Sequence, residues 1–99
     1  MAIDVEWQDE RGATLARSDT PYEWRMGRAV APEQSHCLRY IDPVGDATFN
    51  QLQLPQLIRE LEQLVTSLKA SQYQRQAVAV LEFVRGCEGV HTYVKFIGD

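Results

Sequence analysis

Residues 54–68, LPQLIRELEQLVTSL, carry the pattern that decides the fold. At about 100° per residue, the apolar side chains of this stretch fall within about 120° of one another, as on one face of an α-helix. That face consists of Leu54, Leu57, Ile58, Leu61, Leu64, Val65 and Leu68. The predicted solvent face consists of Arg59, Glu60, Glu62, Gln63 and Ser67. Pro55 suits the first helical turn, and the stripe is too short for a dimer zipper, so we predict a helix packed on a sheet.

The next segment, residues 72–88, fits either a buried strand or a second helix. The run Ala77–Leu81 is apolar enough for a buried strand. A helix would instead align Tyr73, Ala77, Val80, Val84 and Cys87 on one stripe. Ser71 and Gln74 resemble a capping box, and Gly86 or Gly89 offers a stop. We favour the helix.

Alternating patterns at both ends of the chain predict strands. Residues 3–7 place Ile3, Val5 and Trp7 on one face, and turn residues 9–12 lead to a partner strand at 13–17. Residues 90–97 predict a closing strand of β-branched and aromatic residues. One of its faces carries Val90, Thr92, Val94 and Phe96. The other carries His91, Tyr93, Lys95 and Ile97.

A β-hairpin is predicted in the middle of the chain. Its strands are residues 37–41 and 47–51, joined by the loop 42–46. In that loop Asp42 can accept backbone N–H groups, Pro43 presets its φ and Gly45 can supply a positive φ. These three residues are expected to shape the loop.

Two consecutive helices and several strands, without βαβ alternation, predict an α+β fold with a small antiparallel sheet and both helices on one face. At 99 residues the chain is expected to form a single domain, residues 1–99. The other sheet face would show partly polar side chains, among them Arg39. Residues 18–35 show no clear hydrophobic period. In the alternative arrangement, this irregular segment covers that face of the sheet.

The net charge of −4 has its origin in the first half of the chain, where nine acids face five arginines. This sign disfavours direct nucleic-acid binding, which needs clustered Lys and Arg. No apolar run is long enough for a membrane helix, and the start lacks the pattern of a secretory signal. We therefore expect a cytoplasmic protein without a membrane or nucleic-acid partner.

The two cysteines are too few for a disulfide framework, and we expect both to be free, buried thiols. A zinc site of His36, Cys37, Cys87 and His91 is disfavoured, because adjacent side chains on a strand leave opposite faces. No metal or cofactor is predicted. Cys87 and His91 also form the one candidate nucleophile–base pair, but no third group orients them. The expectation is therefore no enzyme, with a small hydrolase or transferase as the alternative.

Two stretches carry a family resemblance: residues 39–53, RYIDPVGDATFNQLQ, and residues 91–99, HTYVKFIGD. They resemble a family of small bacterial proteins that share a Y/F-I/V-D-P-x-G-D-x-x-F-N hairpin, a leucine-rich helix and a terminal H-T-Y-x-x-F-I-G-D. The resemblance covers residues 36–99. Such proteins are similar to immunity-type proteins, short cytosolic chains that block secreted toxins encoded beside them. The resemblance implies a cytosolic protein-binding domain that neutralises a cognate toxin by occluding it. It carries no catalytic residues over to this chain.

The acidic half suggests where such a partner would bind, because a toxin that acts on nucleic acid needs a basic cleft. The candidate contact residues are Asp46, Glu33, Glu23 and Trp24. The second-choice interface is the open sheet face with His91, Tyr93 and Lys95. An accessory or regulatory subunit of another protein is the alternative within the binding class.

Overall fold

A computed structural model describes residues 2–29, 35–69 and 71–98. Within these residues the strands are β1 (Ala2–Gln8), β2 (Thr14–Arg17), β3 (Tyr22–Glu23), β4 (Asp46–Asn50) and β5 (Tyr93–Ile97). The helices are α1 (Leu54–Ser67) and α2 (Gln74–Arg85), with 3-10 turns at Trp24–Ala29 and Leu38–Tyr40. All strand pairs are antiparallel, so the predicted α+β class is confirmed. None of the helices in these ranges is long and apolar enough to cross a membrane.

The sheet has the order β2-β1-β5-β4, and β3 pairs with the first residues of β1. Its register brings the apolar side chains of three strands onto one face. Val5 lies opposite Phe96, while Trp7 and Phe49 lie on either side of Val94. The alternation predicted for residues 3–7 is therefore confirmed, and Trp7 is half-buried against the core.

Both helices pack on this apolar face, as predicted. Leu57, Leu61 and Leu64 of α1 are fully buried, and Val80 and Val84 of α2 are buried beside them. These side chains join the apolar residues of β1, β4 and β5 in one core cluster. The hydrophobic periodicity of the two helices was sufficient to predict this packing, because the apolar stripe of each helix can be buried only against the sheet.

The predicted hairpin is wrong. Residues 37–41 form no strand but a 3-10 turn at Leu38–Tyr40, and β4 pairs with β5 instead. Gly45 is not among the positive-φ glycines of the described chain, which are Gly12 and Gly89. The closing strand begins only at Tyr93, because His91 takes a positive φ of 61° in the turn before it.

Glu60 explains why residues 37–41 turn. The helical pattern placed Glu60 on the solvent face, but it is 1% exposed. Its carboxylate accepts the backbone N–H groups of His36, Cys37 and Leu38 at 2.9–3.0 Å. It also accepts the Ser35 hydroxyl at 3.0 Å and the Gln56 side-chain amide at 2.8 Å. Three successive N–H groups can converge on one carboxylate only in a turn, so this contact replaces the predicted strand.

Candidate functional site

The two motifs that carry the family resemblance meet in space. The Val44 N–H donates to Asp42 Oδ1 at 2.9 Å, so the Asp42 carboxylate is hydrogen-bonded within the loop. The Gly98 N–H then donates to the Gly45 carbonyl at 2.9 Å and attaches the end of β5 to this loop. We call residues 42–46 the acidic turn. Pro43 is half-buried within it, whereas Val44 is 70% exposed at its tip.

Gly98 is required by close packing. A Cβ at this position would overlap the carbonyl oxygens of Asp42 and Gly45, which are backbone atoms and have little room to move. Gly98 is not among the positive-φ glycines of the described chain, so the restriction comes from space and not from its dihedral angle. The structure thus assigns a packing role to the glycine of the terminal F-I-G-D motif.

Substituting Gly98→Ala is therefore expected to lower the free energy of unfolding by about 1–3 kcal/mol, the range for overpacked sites. Urea denaturation followed by circular dichroism measures the change. Gly86→Ala is the matched control, because a Cβ there meets the Phe83 carbonyl at an ordinary 3.5 Å. Equal midpoints for the two variants would contradict the packing role of Gly98.

The sheet face opposite the helices is polar. Alternation places on it Asp4, Glu6, Gln8, Arg17, Asp46, Thr48, Tyr93 and Lys95. We call it the open face, since Asp4, Arg17, Asp46 and Thr48 on it are exposed. His91 does not belong to it, because His91 lies in the turn before β5 and lines a small cleft with Asp9 and Arg11.

Glu6 lies at the centre of the open face and is held in a fixed network. It accepts hydrogen bonds from Gln8 Nε2 at 3.0 Å, Thr14 Oγ1 at 2.7 Å and Arg17 Nε at 2.9 Å. These hydrogen bonds, that of Gln8 first, lower the pKa of Glu6 to about 2. Glu6 therefore keeps its negative charge at any pH near neutrality, and Arg17 balances it.

The acids of the open face other than Glu6 lie at one end of it. Asp4 and Asp46 lie on either side of Ile97, and Glu23 pairs with Ala2 at the same end. Lys95 lies next to this end, with its Nζ 3.4 Å from Asp46 Oδ2. We call Asp4, Glu23 and Asp46 the acidic end.

The predicted contact residues are thus only partly brought together. Glu23 and Asp46 share a face and an end but stand on opposite edges, with β1 and β5 between them. Glu33 lies outside the described residues. Trp24 packs partly buried against the core, so its role as a contact residue stays a prediction. Asp4 is not among the predicted contact residues, although its place between Ile3 and Val5 predicts that it points to the open face.

The geometry gives no support to catalysis by Cys87 and His91. Both cysteines are free and buried, as expected. Burial raises the pKa of the Cys87 thiol to about 11, and its Sγ lies 3.2 Å from the Phe83 carbonyl as a donor. A thiol in this state supplies almost no thiolate at neutral pH. Among the described residues, no group of three or more His, Cys, Asp or Glu side chains is placed to hold a metal ion.

Comparisons of the chain with protein-family models, with curated proteins and with solved structures gave no match. The resemblance to immunity-type proteins therefore stays a prediction from the two motifs. The arrangement of charged residues on the open face is the structural feature from which a function can be inferred.

Proposed function

We propose that this chain is a protein-binding domain of the immunity type, which occludes a basic surface of a cognate toxin with the acidic end of its open face. The observation that carries the proposal is the position of Asp4, Glu23 and Asp46 together at one end of that face. Asp4 and Asp46 are exposed, so their carboxylates can meet a partner without any change in the fold.

The charge of the open face suits such a partner. Glu6 is paired with Arg17 and Asp46 lies 3.4 Å from Lys95, and the exposed carboxylate of Asp4 adds a further negative charge to the face. A surface that keeps a negative excess attracts a basic partner and raises its rate of association. A toxin that acts on nucleic acid has a basic cleft for the phosphates, and an acidic inhibitor competes directly for it.

The rigidity of the face supports the same function. Glu6 is hydrogen-bonded to three neighbouring side chains, and Gly98 holds the acidic turn against the end of β5. A preorganised surface loses little side-chain entropy on binding, which favours a tight complex.

The test is neutralisation of the acidic end. The triple variant Asp4→Asn, Glu23→Gln, Asp46→Asn is compared with the original chain for binding to the toxin domain encoded by the adjacent reading frame. Because exposed carboxylates act mainly on association, we expect the association rate to fall about tenfold or more at low salt. The difference should shrink as salt is added, because exposed charges are screened.

A matched control removes the same charge elsewhere, through Glu10→Gln, Glu82→Gln and Glu88→Gln, all of which are exposed. Urea midpoints show that both variants remain folded. Equal association rates for the two triple variants would refute the acidic-end model. A neighbouring gene product that does not inhibit growth, or inhibition that this chain does not relieve, would refute the immunity function.

A further inference from the structure

We propose that two copies of this chain associate through the free edge of β4, which extends the sheet across a two-fold axis at Ala47. This inference does not depend on the proposed function. It rests on which backbone groups of β4 lack a partner among the described residues, and on the one register in which a second copy can satisfy all of them.

The hydrogen bond from Gly98 N–H to the Gly45 carbonyl shows which way the groups of β4 point. It makes Gly45 and Gly98 a hydrogen-bonded pair, and in antiparallel strands such pairs alternate with non-bonded ones. Ala47 and Phe49 therefore also turn their backbone groups toward β5. The residues that turn their backbone N–H and C=O groups away from β5 are Asp46, Thr48 and Asn50.

Asn50 is already satisfied within its own chain. Its N–H donates to Gln53 Oε1 at 2.9 Å, and its carbonyl and side-chain oxygens accept the Gln53 N–H at 3.0 Å. This also confirms that the Asn50 N–H points away from β5. The outward N–H and C=O groups of Asp46 and Thr48 have no such partner in the described parts of the chain. Four adjacent backbone groups are thus available on this edge.

The opposite edge of the sheet is interrupted. A register shift between Trp7 and Gln8 leaves Leu15 as an extra residue in β2, and Pro21, which lacks an N–H, precedes β3. Bulges and prolines are devices that keep an edge from pairing. In contrast, β4 pairs with β5 over its whole length without a shift, so its free edge is regular. A second copy would therefore add at β4.

Only one register uses all four groups. With the axis at Ala47, Asp46 lies opposite Thr48 of the second copy and each pair exchanges two hydrogen bonds. An axis at Thr48 would need the groups of Asn50 that Gln53 already holds. An axis at Asp46 would bring two like charges face to face. The favoured register avoids this repulsion, and Lys95 at 3.4 Å further offsets each Asp46 carboxylate.

Exposed apolar side chains at both ends of β4 support the same contact. Val44 is 70% exposed two residues before β4, and Leu52 is 92% exposed two residues after it. In the favoured register the residues before β4 of one copy lie nearest the residues after β4 of the other, so Val44 and Leu52 lie at the two ends of the strand pair. The strand pair would thus be flanked at both ends by apolar side chains that are exposed to water in the single chain.

The test is sedimentation of the full chain at micromolar and millimolar concentration. We expect twice the monomer mass at the higher concentration, and monomer at both concentrations for Thr48→Pro. Proline is tolerated on an edge strand where the N–H points outward, so the pairing of β4 with β5 should persist. Thr48→Ser keeps the N–H and should associate like the original chain. A monomeric original chain at both concentrations, or a folded Thr48→Pro variant that still associates, would overturn the proposal.

Amide hydrogen exchange of the original chain decides the case even if Thr48→Pro does not fold. The amides of Asp46 and Thr48 should exchange more slowly at the higher concentration. Those of Ala47 and Phe49 should be protected at both concentrations, because they bond to β5. Exchange at Asp46 and Thr48 that does not change with concentration, in a chain that sediments as a dimer, would place the contact elsewhere.

Discussion

Replacing Glu60 by alanine is expected to lower the free energy of unfolding by about 3–5 kcal/mol, because several buried hydrogen-bond donors lose their acceptor at once. The carboxylate accepts hydrogen bonds from five donors, and three of them are backbone N–H groups of residues 36–38. Without the carboxylate these donors are left in an apolar interior, and each unsatisfied group costs about 1–3 kcal/mol. Water entering the cavity would recover part of the loss.

Urea denaturation measures this change, and Glu62→Ala is the matched control on the same helix. Glu62 is half-exposed and pairs with Arg85 at the surface, so its loss should cost at most about 1 kcal/mol. The Glu60→Gln variant keeps the side-chain size but faces the backbone donors with an NH₂ group, and should fall between the two. If Glu60→Ala cost no more than Glu62→Ala, the docking of residues 35–38 on Glu60 would be wrong.

The contribution of Glu60 also depends on pH. Burial by itself would raise the pKa of Glu60, but the hydrogen bonds that the carboxylate accepts lower it by more. The pKa of Glu60 therefore lies below the usual 4.5. A carboxyl group with a lowered pKa stabilises the folded state above its unfolded pKa, and this stability is lost as the pH falls through the folded pKa. The difference in unfolding free energy between the original chain and Glu60→Gln should therefore narrow as the solution is acidified below pH 4.5. A constant difference would contradict this role.

Replacing Leu61 by alanine is expected to cost about 2–5 kcal/mol, the range for buried leucines. Leu61 is 0% exposed on the face of α1 that packs on the sheet, so its loss leaves a cavity. A domain of this size has a total stability of about 5–15 kcal/mol, so the change should be evident in the urea midpoint. Leu64→Ala, at an equally buried position, should behave in the same way.

Leu52→Ala is the control for both variants, because Leu52 is 92% exposed in the turn before α1. At micromolar concentration, below the range in which we expect two copies to associate, its removal should change the free energy of unfolding by less than about 0.5 kcal/mol. Equal midpoints for Leu61→Ala and Leu52→Ala would mean that the leucine face of α1 is not the core.

The elements predicted correctly are those whose signal is local. The stripe of α1, the alternation of β1 and the choice of helix for α2 depend on side chains a few residues apart, and each pattern leaves one buried face. The same rule places Asp4 and Asp46 on the open face once the strands are known. Most of the acidic end is thus visible in the sequence as alternation, although the order of the strands is not.

The elements predicted wrongly are those that a distant residue controls. Residues 37–41 have the composition of a strand. The carboxylate of Glu60, more than twenty positions away, accepts the N–H groups of residues 36–38 and holds this segment in a turn. The helical pattern placed Glu60 itself on the solvent face, because hydrophobic periodicity takes no account of a carboxylate that accepts hydrogen bonds from buried donors. Its position gives only a weak signal of this burial, because at about 100° per residue Glu60 lies about 40° from Leu64, at the edge of the apolar stripe.

By itself, the sequence determined the α+β class, the two helices, the face that each helix buries and the acidic excess of the first half. Only the tertiary structure decided that β4 pairs with β5, that Glu60 is buried, and that Gly98 closes on the acidic turn. The reason is that local periodicity depends on side chains that neighbour one another along the chain. Strand partners, buried hydrogen bonds and close backbone contacts depend on groups that become neighbours only when the core has formed.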